Sequence, residues 1–209
     1  MTSTRAQPSP GTDEAPNAAP NAWLVRHGET EWARDGRHTG RTDVPLTDAG
    51  KRQARDVVVK LHGHRFALVL SSPLSRALET ARLAGFGDVV QSDPDLMEWD
   101  YGEYEGLTTA QIRERQPGWS LWRDGVPGGE TVDQVATRCD RLIARVRAAG
   151  GDVLLFAHGH LLRILAACWL ELPPGDGRHF ALSTATVSVL GWERETPVIE
   201  RWNEASGPG

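Results

Sequence analysis

Short apolar runs that end in glycine or polar residues recur along the chain and predict buried strands. One covers residues 22–25 and ends in Arg26 and His27, and the most strand-like covers Val153–Ala157 and ends in His158. Apolar runs of this length between turn signals are typical of strands in a covered sheet. The same pattern predicts strands at residues 67–70, 87–90, 186–191 and 197–202.

Apolar residues at helical spacing separate these strands. Thr47 is a good N-cap for a helix that runs to about Leu61, and residues 74–84 predict a helix with Arg76 in its first turn. Further helices are predicted after the capping-box residues Thr108 and Thr131 and over residues 161–170. Alternating strands and helices predict an α/β fold, a three-layer sandwich whose mostly parallel sheet carries helices on both faces.

The first 21 residues differ in composition from the rest of the chain. Residues 1–21 are rich in Pro, Ala, Ser and Thr and lack an apolar core segment, which predicts a disordered tail rather than a signal peptide. From residue 22 to 209 the apolar segments are evenly spread, which predicts a single domain. Every apolar run is far shorter than a bilayer span, so we expect no membrane partner.

Charge and cysteine content narrow the possible partners and location. The net charge is −5 and no basic stripe stands out, which argues against a nucleic-acid partner. Lys51 and Lys60 are the only lysines, and the frequent Arg, Ala and Gly suggest a GC-rich bacterial gene. Cys139 and Cys168 lie in apolar periodic stretches and predict buried free thiols in a reducing cytoplasm.

Three predicted strand ends present groups that suit phosphate chemistry. Arg26 and His27 follow the first strand, Arg76 follows the second, and His158 follows the strand at 153–157. The carboxyl ends of parallel strands meet at one edge of a sheet, so these residues can line one pocket. Arginine matches phosphate oxygens and a neutral imidazole can be a nucleophile, which together suggest phosphoryl transfer at histidine.

Four motifs make this interpretation specific. The chain resembles the histidine phosphatase superfamily, phosphoglycerate mutase-like branch, in motifs that occur in the family's order: RHGET at 26–30, SPLSRALETA at 72–81, EWDYG at 98–102 and HGH at 158–160. The resemblance runs from about residue 22 to the last strand. Within the family the motifs are most similar to those of bacterial acid phosphatases and of a bisphosphatase acting on sedoheptulose bisphosphate.

The resemblance implies a role for each matching residue. His27 would take the phosphoryl group, Arg26 and Arg76 would bind its oxygens, His158 would add a donor, and Glu98 would protonate the leaving oxygen. Glu103 and Glu105 are rivals for the role of Glu98 because they lie close in sequence. Four further residues are implied in substrate binding: Thr39, Gly40, Tyr101 and His160. His160 could instead simply begin a helix.

The chain also departs from the mutases. Only a short segment separates Glu98 from the glycines at 128–129, so the long mutase lid is missing, and Ala33 stands where the family has a pocket asparagine. Without a lid, a phosphohistidine should hydrolyse. The expected activity is therefore a phosphatase without cofactor or metal that acts on a small phosphate ester, in particular a sugar phosphate or bisphosphate.

Three alternatives stay open at this point. One is a phosphoglycerate mutase, one is a metal-dependent hydrolase with His158 and His160 as ligands, and one is a non-catalytic relative that binds a phosphorylated ligand. The sequence also leaves open whether the chain forms a homodimer.

Overall fold

The computed structural model describes residues 19–205. The predicted N-terminal tail therefore lies outside the described residues, apart from its last three. Of these, Asn21 donates its backbone N–H to Asp152 and accepts from the backbone of Val153, and the Pro20 carbonyl accepts from Trp192. The chain is thus hydrogen bonded to the folded part from residue 20, slightly before the predicted end of the tail.

The core of the fold is one six-stranded sheet in the order β3-β2-β4-β1-β5-β6. The strands are β1 (Ala22–Arg26), β2 (Leu68–Ser71), β3 (Gln91–Ser92), β4 (Val153–Ala157), β5 (Thr186–Glu193) and β6 (Thr196–Ala205). The first four are parallel to one another. At one side of the sheet, β5 pairs antiparallel with β1, and β6 pairs antiparallel with β5. The predicted mostly parallel sheet is confirmed.

Helices connect the strands. They are α1 (Glu31–Arg34), α2 (Asp48–Asp56), α3 (Val58–Leu61), α4 (Ser75–Ala81), α5 (Thr109–Arg115), α6 (Leu121–Asp124), α7 (Val132–Ala148) and α8 (Gly159–Trp169). Short 3-10 turns lie at Pro94–Leu96, Gly102–Tyr104 and Pro174–His179, and a π-turn at Arg82–Phe86 follows α4. The predicted helix from Thr47 to Leu61 is observed as α2 and α3, joined at Val57, whose backbone is still helical.

The sheet is covered on both faces, as predicted. Leu155 of β4 packs in one apolar cluster with Leu142 of α7 and Leu165 of α8. Phe156, its neighbour in sequence, packs in a second cluster with Val57 and the α4 side of the fold. Successive side chains of a strand point to opposite faces, so this alternation confirms the three-layer sandwich.

Three predictions differ in detail. The prediction of a strand at 87–90 is wrong. The amides of Val89 and Val90 donate to the Phe86 carbonyl in a turn, and the strand forms instead at Gln91–Ser92, where it pairs with β2. Helix α8 begins two residues earlier than expected, at Gly159. Both cysteines are free, but only Cys139 is buried, whereas Cys168 is half-buried.

Candidate active site

The end of β1 is held firmly in the sheet. The His27 amide donates to Ala157 at the end of β4 over 3.0 Å, and His27 is only 4% exposed. A Cβ on Gly28 would lie 2.4 Å from the carbonyl oxygen of Gly50, so only glycine lets α2 approach this closely. The Gly28 amide donates to the Thr80 hydroxyl of α4, which fixes the loop after β1 on its other side.

The hydrogen bonding of His27 defines its tautomer. Its Nδ1 lies 2.7 Å from the Gly28 carbonyl oxygen, which can only accept, so Nδ1 carries the proton. The lone pair of Nε2 is then available. Burial, together with the positive charges of Arg76 and Arg26, lowers the pKa of His27 well below its ordinary value. The ring is therefore a neutral imidazole, the form that can attack phosphorus.

Arg26 lines the same cleft as His27 and has an unused donor. Its Nη1 donates to the Leu182 carbonyl, but its Nε is buried and has no hydrogen-bond partner among residues 19–205. Burial lowers the pKa of Arg26. A buried cationic N–H without a partner is costly, and an anion bound next to His27 would satisfy it.

Arg76 lies behind the cleft wall and is completely buried. Its Nε donates to Nδ1 of His158 over 3.2 Å. Its Nη atoms donate to three backbone carbonyls of the loop after α1, those of Thr39, Gly40 and Thr42, over 3.2, 2.8 and 2.9 Å. Arg76, which the sequence predicts to bind phosphate, thus holds the loop and His158 in place. One N–H of its Nη1 has no hydrogen-bond partner within residues 19–205.

His158 lies next to His27, with ring centroids 5.2 Å apart. Because its Nδ1 accepts from Arg76, its proton is on Nε2, which lies 2.8 Å from the Ser72 hydroxyl. Burial and the neighbouring positive charges lower the pKa of His158 well below its ordinary value. Both ring nitrogens are engaged, so donation to a phosphate would require exchange of the Ser72 bond for a phosphate oxygen.

The predicted substrate residues Thr39 and Gly40 have different surroundings. Thr39 lines the cleft, and its hydroxyl donates to the Arg37 carbonyl. Gly40 does not line the cleft. Its amide donates to the Glu105 carboxylate over 2.8 Å, and a Cβ there would lie 2.5 Å from the Trp99 carbonyl oxygen. Glu105 therefore supports the loop that surrounds Arg76, a role that its position in the sequence did not indicate.

Glu98 is held at the beginning of α8. Its Oε1 accepts from the amides of Trp99 and Leu161, each over 2.9 Å, and its Oε2 accepts from the amide of His160 over 3.1 Å. The first amides of a helix lack partners within the helix, so the carboxylate acts as their cap. Glu98 is 5% exposed and lines the cleft together with His27. Of its rivals, Glu103 is exposed and Glu105 supports the loop described above.

A buried arginine that was not predicted as a site residue fixes the segment carrying Glu98. Arg138 of α7 donates to the backbone carbonyls of Asp95, Met97 and Glu98. It also forms a bidentate pair with Glu130, with both nitrogen–oxygen distances at 2.9 Å. Such a fork can orient several acceptors at once, so Arg138 is a positioning residue for Glu98.

We expect Arg138→Met to lower the free energy of unfolding by about 3 kcal/mol, because Glu130 and three carbonyls lose their donor. Urea unfolding followed by circular dichroism measures this loss. The matched control is Arg141→Met, since Arg141 is 54% exposed and pairs with Asp95 at the surface. Equal unfolding midpoints for the two variants would contradict the role given to Arg138.

A wall of aromatic and imidazole rings completes the cleft. The Tyr101 hydroxyl lies 2.6 Å from Nδ1 of His160, and the His38 ring lies 4.9 Å from the Tyr101 ring. Burial lowers the pKa of His38 to about 4 and that of His160 well below its ordinary value, and it raises the pKa of Tyr101. All three side chains are therefore uncharged donors or acceptors. His38 was not among the site residues predicted from the sequence.

These elements surround one cleft of about 290 Å³. The structure brings together six of the nine predicted site residues as cleft lining: Arg26, His27, Thr39, Glu98, Tyr101 and His160. It places the other three, Gly40, Arg76 and His158, directly behind that lining as support. Arg37 and Arg163 also line the cleft and were not among the predicted residues.

The buried histidines predict a pH-dependent stability. Burial lowers the pKa of His27, His38, His158 and His160 in the folded protein, whereas an unfolded histidine titrates near 6.5. The unfolded chain therefore binds more protons below that pH. We expect the free energy of unfolding to fall from about pH 6.5 downwards, by up to roughly 1.4 kcal/mol per pH unit for each histidine. Urea unfolding at about pH 7.5 and 5.5 measures the slope, and identical values would contradict it.

The described part of the chain lacks two features that bear on metals and membranes. Within residues 19–205, no three His, Cys, Asp or Glu side chains are grouped so that they could hold a metal ion. None of the helices in this range combines the length and apolar character needed to cross a bilayer.

Comparison with known proteins identifies the family. A sequence profile for the histidine phosphatase superfamily (branch 1) matches residues 22–205. An acid phosphatase of Mycobacterium tuberculosis is 45% identical over 175 residues, which cover 81% of this chain and 85% of the relative. A sedoheptulose 1,7-bisphosphatase of Saccharomyces cerevisiae is 35% identical over 189 residues, which cover 75% of this chain and 70% of the relative.

A solved structure agrees with these sequence matches. The mycobacterial glucosyl-3-phosphoglycerate phosphatase in complex with VO3 has a TM-score of 0.81 and 32% identity, over 90% of this chain and all of that one (100%). Relatives named as phosphatases also agree with the predicted class of activity. The profile match and these identities confirm the resemblance seen in the four motifs: the chain belongs to the histidine phosphatase superfamily (branch 1).

Proposed function

We propose that the protein hydrolyses small phosphomonoesters through a phosphohistidine at His27. One observation carries this proposal: the neutral imidazole of His27, with a free Nε2, lines the same cleft as Arg26, whose buried Nε has no hydrogen-bond partner within residues 19–205. The first group can attack phosphorus and the second can bind a phosphate oxygen. The family membership and the relatives named as phosphatases support the same reaction.

In the first step, the Nε2 lone pair of His27 forms a bond to phosphorus while the bond from phosphorus to the ester oxygen breaks. Glu98, in its protonated form, gives its proton to that departing oxygen, and the alcohol leaves. Positive donors stabilise the charge that spreads over the phosphoryl oxygens, and Arg26 would be one of these donors. Arg76 contributes its positive charge from behind the wall.

In the second step, water attacks phosphorus and the bond to Nε2 breaks. Glu98, now a carboxylate, takes a proton from the water, so the carboxyl group is protonated again when inorganic phosphate leaves. One carboxyl group can serve in both steps because it donates a proton to the oxygen that leaves phosphorus and then accepts one from the oxygen that attacks it. The three backbone amides that hold Glu98 keep its oxygens beside the cleft in both states.

The proposed substrate class is a sugar phosphate or sugar bisphosphate. A relative is named as a sedoheptulose bisphosphatase, and the uncharged Tyr101, His160 and His38 offer donors and acceptors that suit hydroxyl groups. Thr39 lines the same cleft. Gly40, by contrast, is proposed to act through its backbone contacts with Arg76 and Glu105 rather than by touching substrate.

The mechanism is tested by trapping its intermediate. The purified protein is mixed with a radiolabelled phosphate ester and quenched in alkali, which preserves phosphohistidine, and the labelled peptide is sequenced. We expect label on the peptide that contains His27 and full activity after treatment with EDTA. Absence of label during turnover would contradict the covalent route. Activity lost with EDTA and restored by zinc would favour the metal-dependent alternative.

The remaining expectations from the sequence are part of the same proposal. We propose a cytoplasmic bacterial enzyme, on the basis of the two free thiols and the composition of the chain. The net charge of −5 is the basis for predicting that the protein has no nucleic-acid partner. A homodimer remains an open prediction that size-exclusion chromatography with light scattering would decide.

A further inference from the structure

Two arginines line the cleft without a role in the proposed reaction. Arg163 lies in α8 and Arg37 in the loop after α1, and both contact the same cleft as His27 and Glu98. The reacting phosphate has its own cationic groups, Arg26 and Arg76. The cleft therefore holds more positive charge than a single phosphate group uses, although the chain as a whole carries a net charge of −5.

Arg163 is held in a fixed orientation. Its Nε donates to the Gly177 carbonyl over 3.1 Å, and its Nη2 donates to the Arg178 carbonyl over 3.0 Å. Its guanidinium carbon lies 4.7 Å from the centre of the Trp122 ring. Its Nη1 has no hydrogen-bond partner among the described residues. One end of the guanidinium is thus fixed by the protein, and the other end retains free donors.

The charge of Arg163 is not balanced by a nearby carboxylate. No Asp or Glu oxygen within residues 19–205 lies within 4.0 Å of its nitrogens, although the side chain is only half-exposed. Burial lowers the pKa of Arg163, and Glu98 is the main group whose charge opposes this. The Glu98 carboxylate is occupied by three backbone amides. A half-buried cation in this position gains from an external anion.

The surroundings of Arg163 and Arg37 do not supply that anion. His160 and Tyr101 are uncharged, as described above. Arg37 stacks 5.9 Å from the Trp32 ring, and Asp35, its nearest carboxylate partner, is 3.9 Å away, which is long for an ion pair. Arg37 is exposed and so forms the outer rim, whereas Arg163 is the more buried of the two.

We propose that Arg163, with Arg37 at the rim, binds a second anionic group of the substrate. This group is a carboxylate or a second phosphate on the part of the molecule that leaves as the alcohol. The inference rests on the proposed function, since the ester phosphate must occupy the place beside His27. It predicts that the enzyme prefers doubly anionic esters over otherwise matched esters with a neutral remainder.

Matched substrate pairs test this preference. Phosphoglycerate differs from glycerol phosphate by a carboxylate in place of a hydroxymethyl group, and fructose bisphosphate differs from fructose monophosphate by a second phosphate. For each pair, the ratio of kcat/KM values is measured in the wild type, in Arg163→Gln and in the control Arg178→Gln. Arg178 is a suitable control because it pairs with Asp176 and does not line the cleft.

We expect Arg163→Gln to reduce the anionic preference for at least one pair by about 10- to 100-fold, as a lost charge-assisted contact would. The pair that responds identifies the anion as carboxylate or phosphate. Arg178→Gln should leave both ratios unchanged. Ratios that do not change in Arg163→Gln, or that change equally in the control, would overturn the inference.

An equilibrium readout separates this inference from the proposed reaction. Binding of the same four compounds to His27→Ala protein, with and without Arg163→Gln, is measured by calorimetry. Tighter binding of the anionic members that depends on Arg163 supports the subsite even if no hydrolysis is ever detected. Equal binding within each pair overturns the subsite even if hydrolysis is confirmed.

Discussion

Replacing His27 by alanine is expected to lower kcat by about 10⁴-fold or more, because the variant lacks the atom that forms the bond to phosphorus. The substitution should leave the backbone hydrogen bonds around residue 27 in place. The sheet bond of residue 27 runs through its backbone amide to Ala157, and the Gly28 amide stays bonded to Thr80. Steady-state phosphate release from a sugar phosphate measures the loss, and circular dichroism checks that the variant is folded.

Chemical rescue makes this result specific to the nucleophile. Truncation to alanine leaves space next to Arg26, so added imidazole should restore part of the turnover in His27→Ala. The same addition should have no effect on the control His62→Ala, because His62 is exposed and does not line the cleft. Near-normal turnover in His27→Ala without imidazole would contradict the proposed mechanism.

Glu98→Gln is expected to lower kcat for a sugar phosphate by about 10²- to 10⁴-fold, the range for loss of a general acid. The amide cannot deliver the proton that the departing alkoxide needs. It also places an NH₂ group against one of the three backbone amides that the carboxylate accepts from. Rapid measurement of alcohol release gives the rate of the first step.

The leaving group distinguishes acid catalysis from a general disturbance of the site. A nitrophenolate leaves without protonation, so the first step with p-nitrophenyl phosphate should be slowed much less in Glu98→Gln than the step with a sugar phosphate. The control Glu103→Gln changes an exposed carboxylate nearby in sequence and should slow neither. Equal slowing of both substrates in Glu98→Gln would argue against proton donation by Glu98.

The sequence was sufficient to predict which strand and helix ends meet. His27 ends up beside His158 because β1 and β4 are adjacent parallel strands, and apolar runs ending in polar residues signal such strands. The sequence did not show which of the predicted residues line the cleft and which hold that lining from behind. Arg76 and His158 match the family pattern as well as Arg26 does, yet they lie behind the cleft because the loop carbonyls and Ser72 engage them.

The supporting residues carry no local signal. Arg138 binds the carbonyl of Glu98 across 40 residues of sequence, and Glu105 binds the amide of Gly40 across 65. In the sequence of a helix, an arginine with such a role cannot be distinguished from an arginine that is exposed to solvent. The early start of α8 has a similar cause, since Glu98 caps its first amides from 62 residues away. Tertiary contacts of this kind override local propensity.

The contact between Gly28 and Gly50 limits how this enzyme can be redesigned. A Cβ at Gly50 would lie 2.1 Å from the Glu29 carbonyl oxygen, and one at Gly28 would meet Gly50 itself, so each position is blocked by backbone. A second substitution elsewhere cannot relieve such a clash, because no side chain can be shortened. Libraries that aim to change substrate choice should therefore hold these two glycines constant and vary cleft-lining side chains such as Arg37 and Thr39.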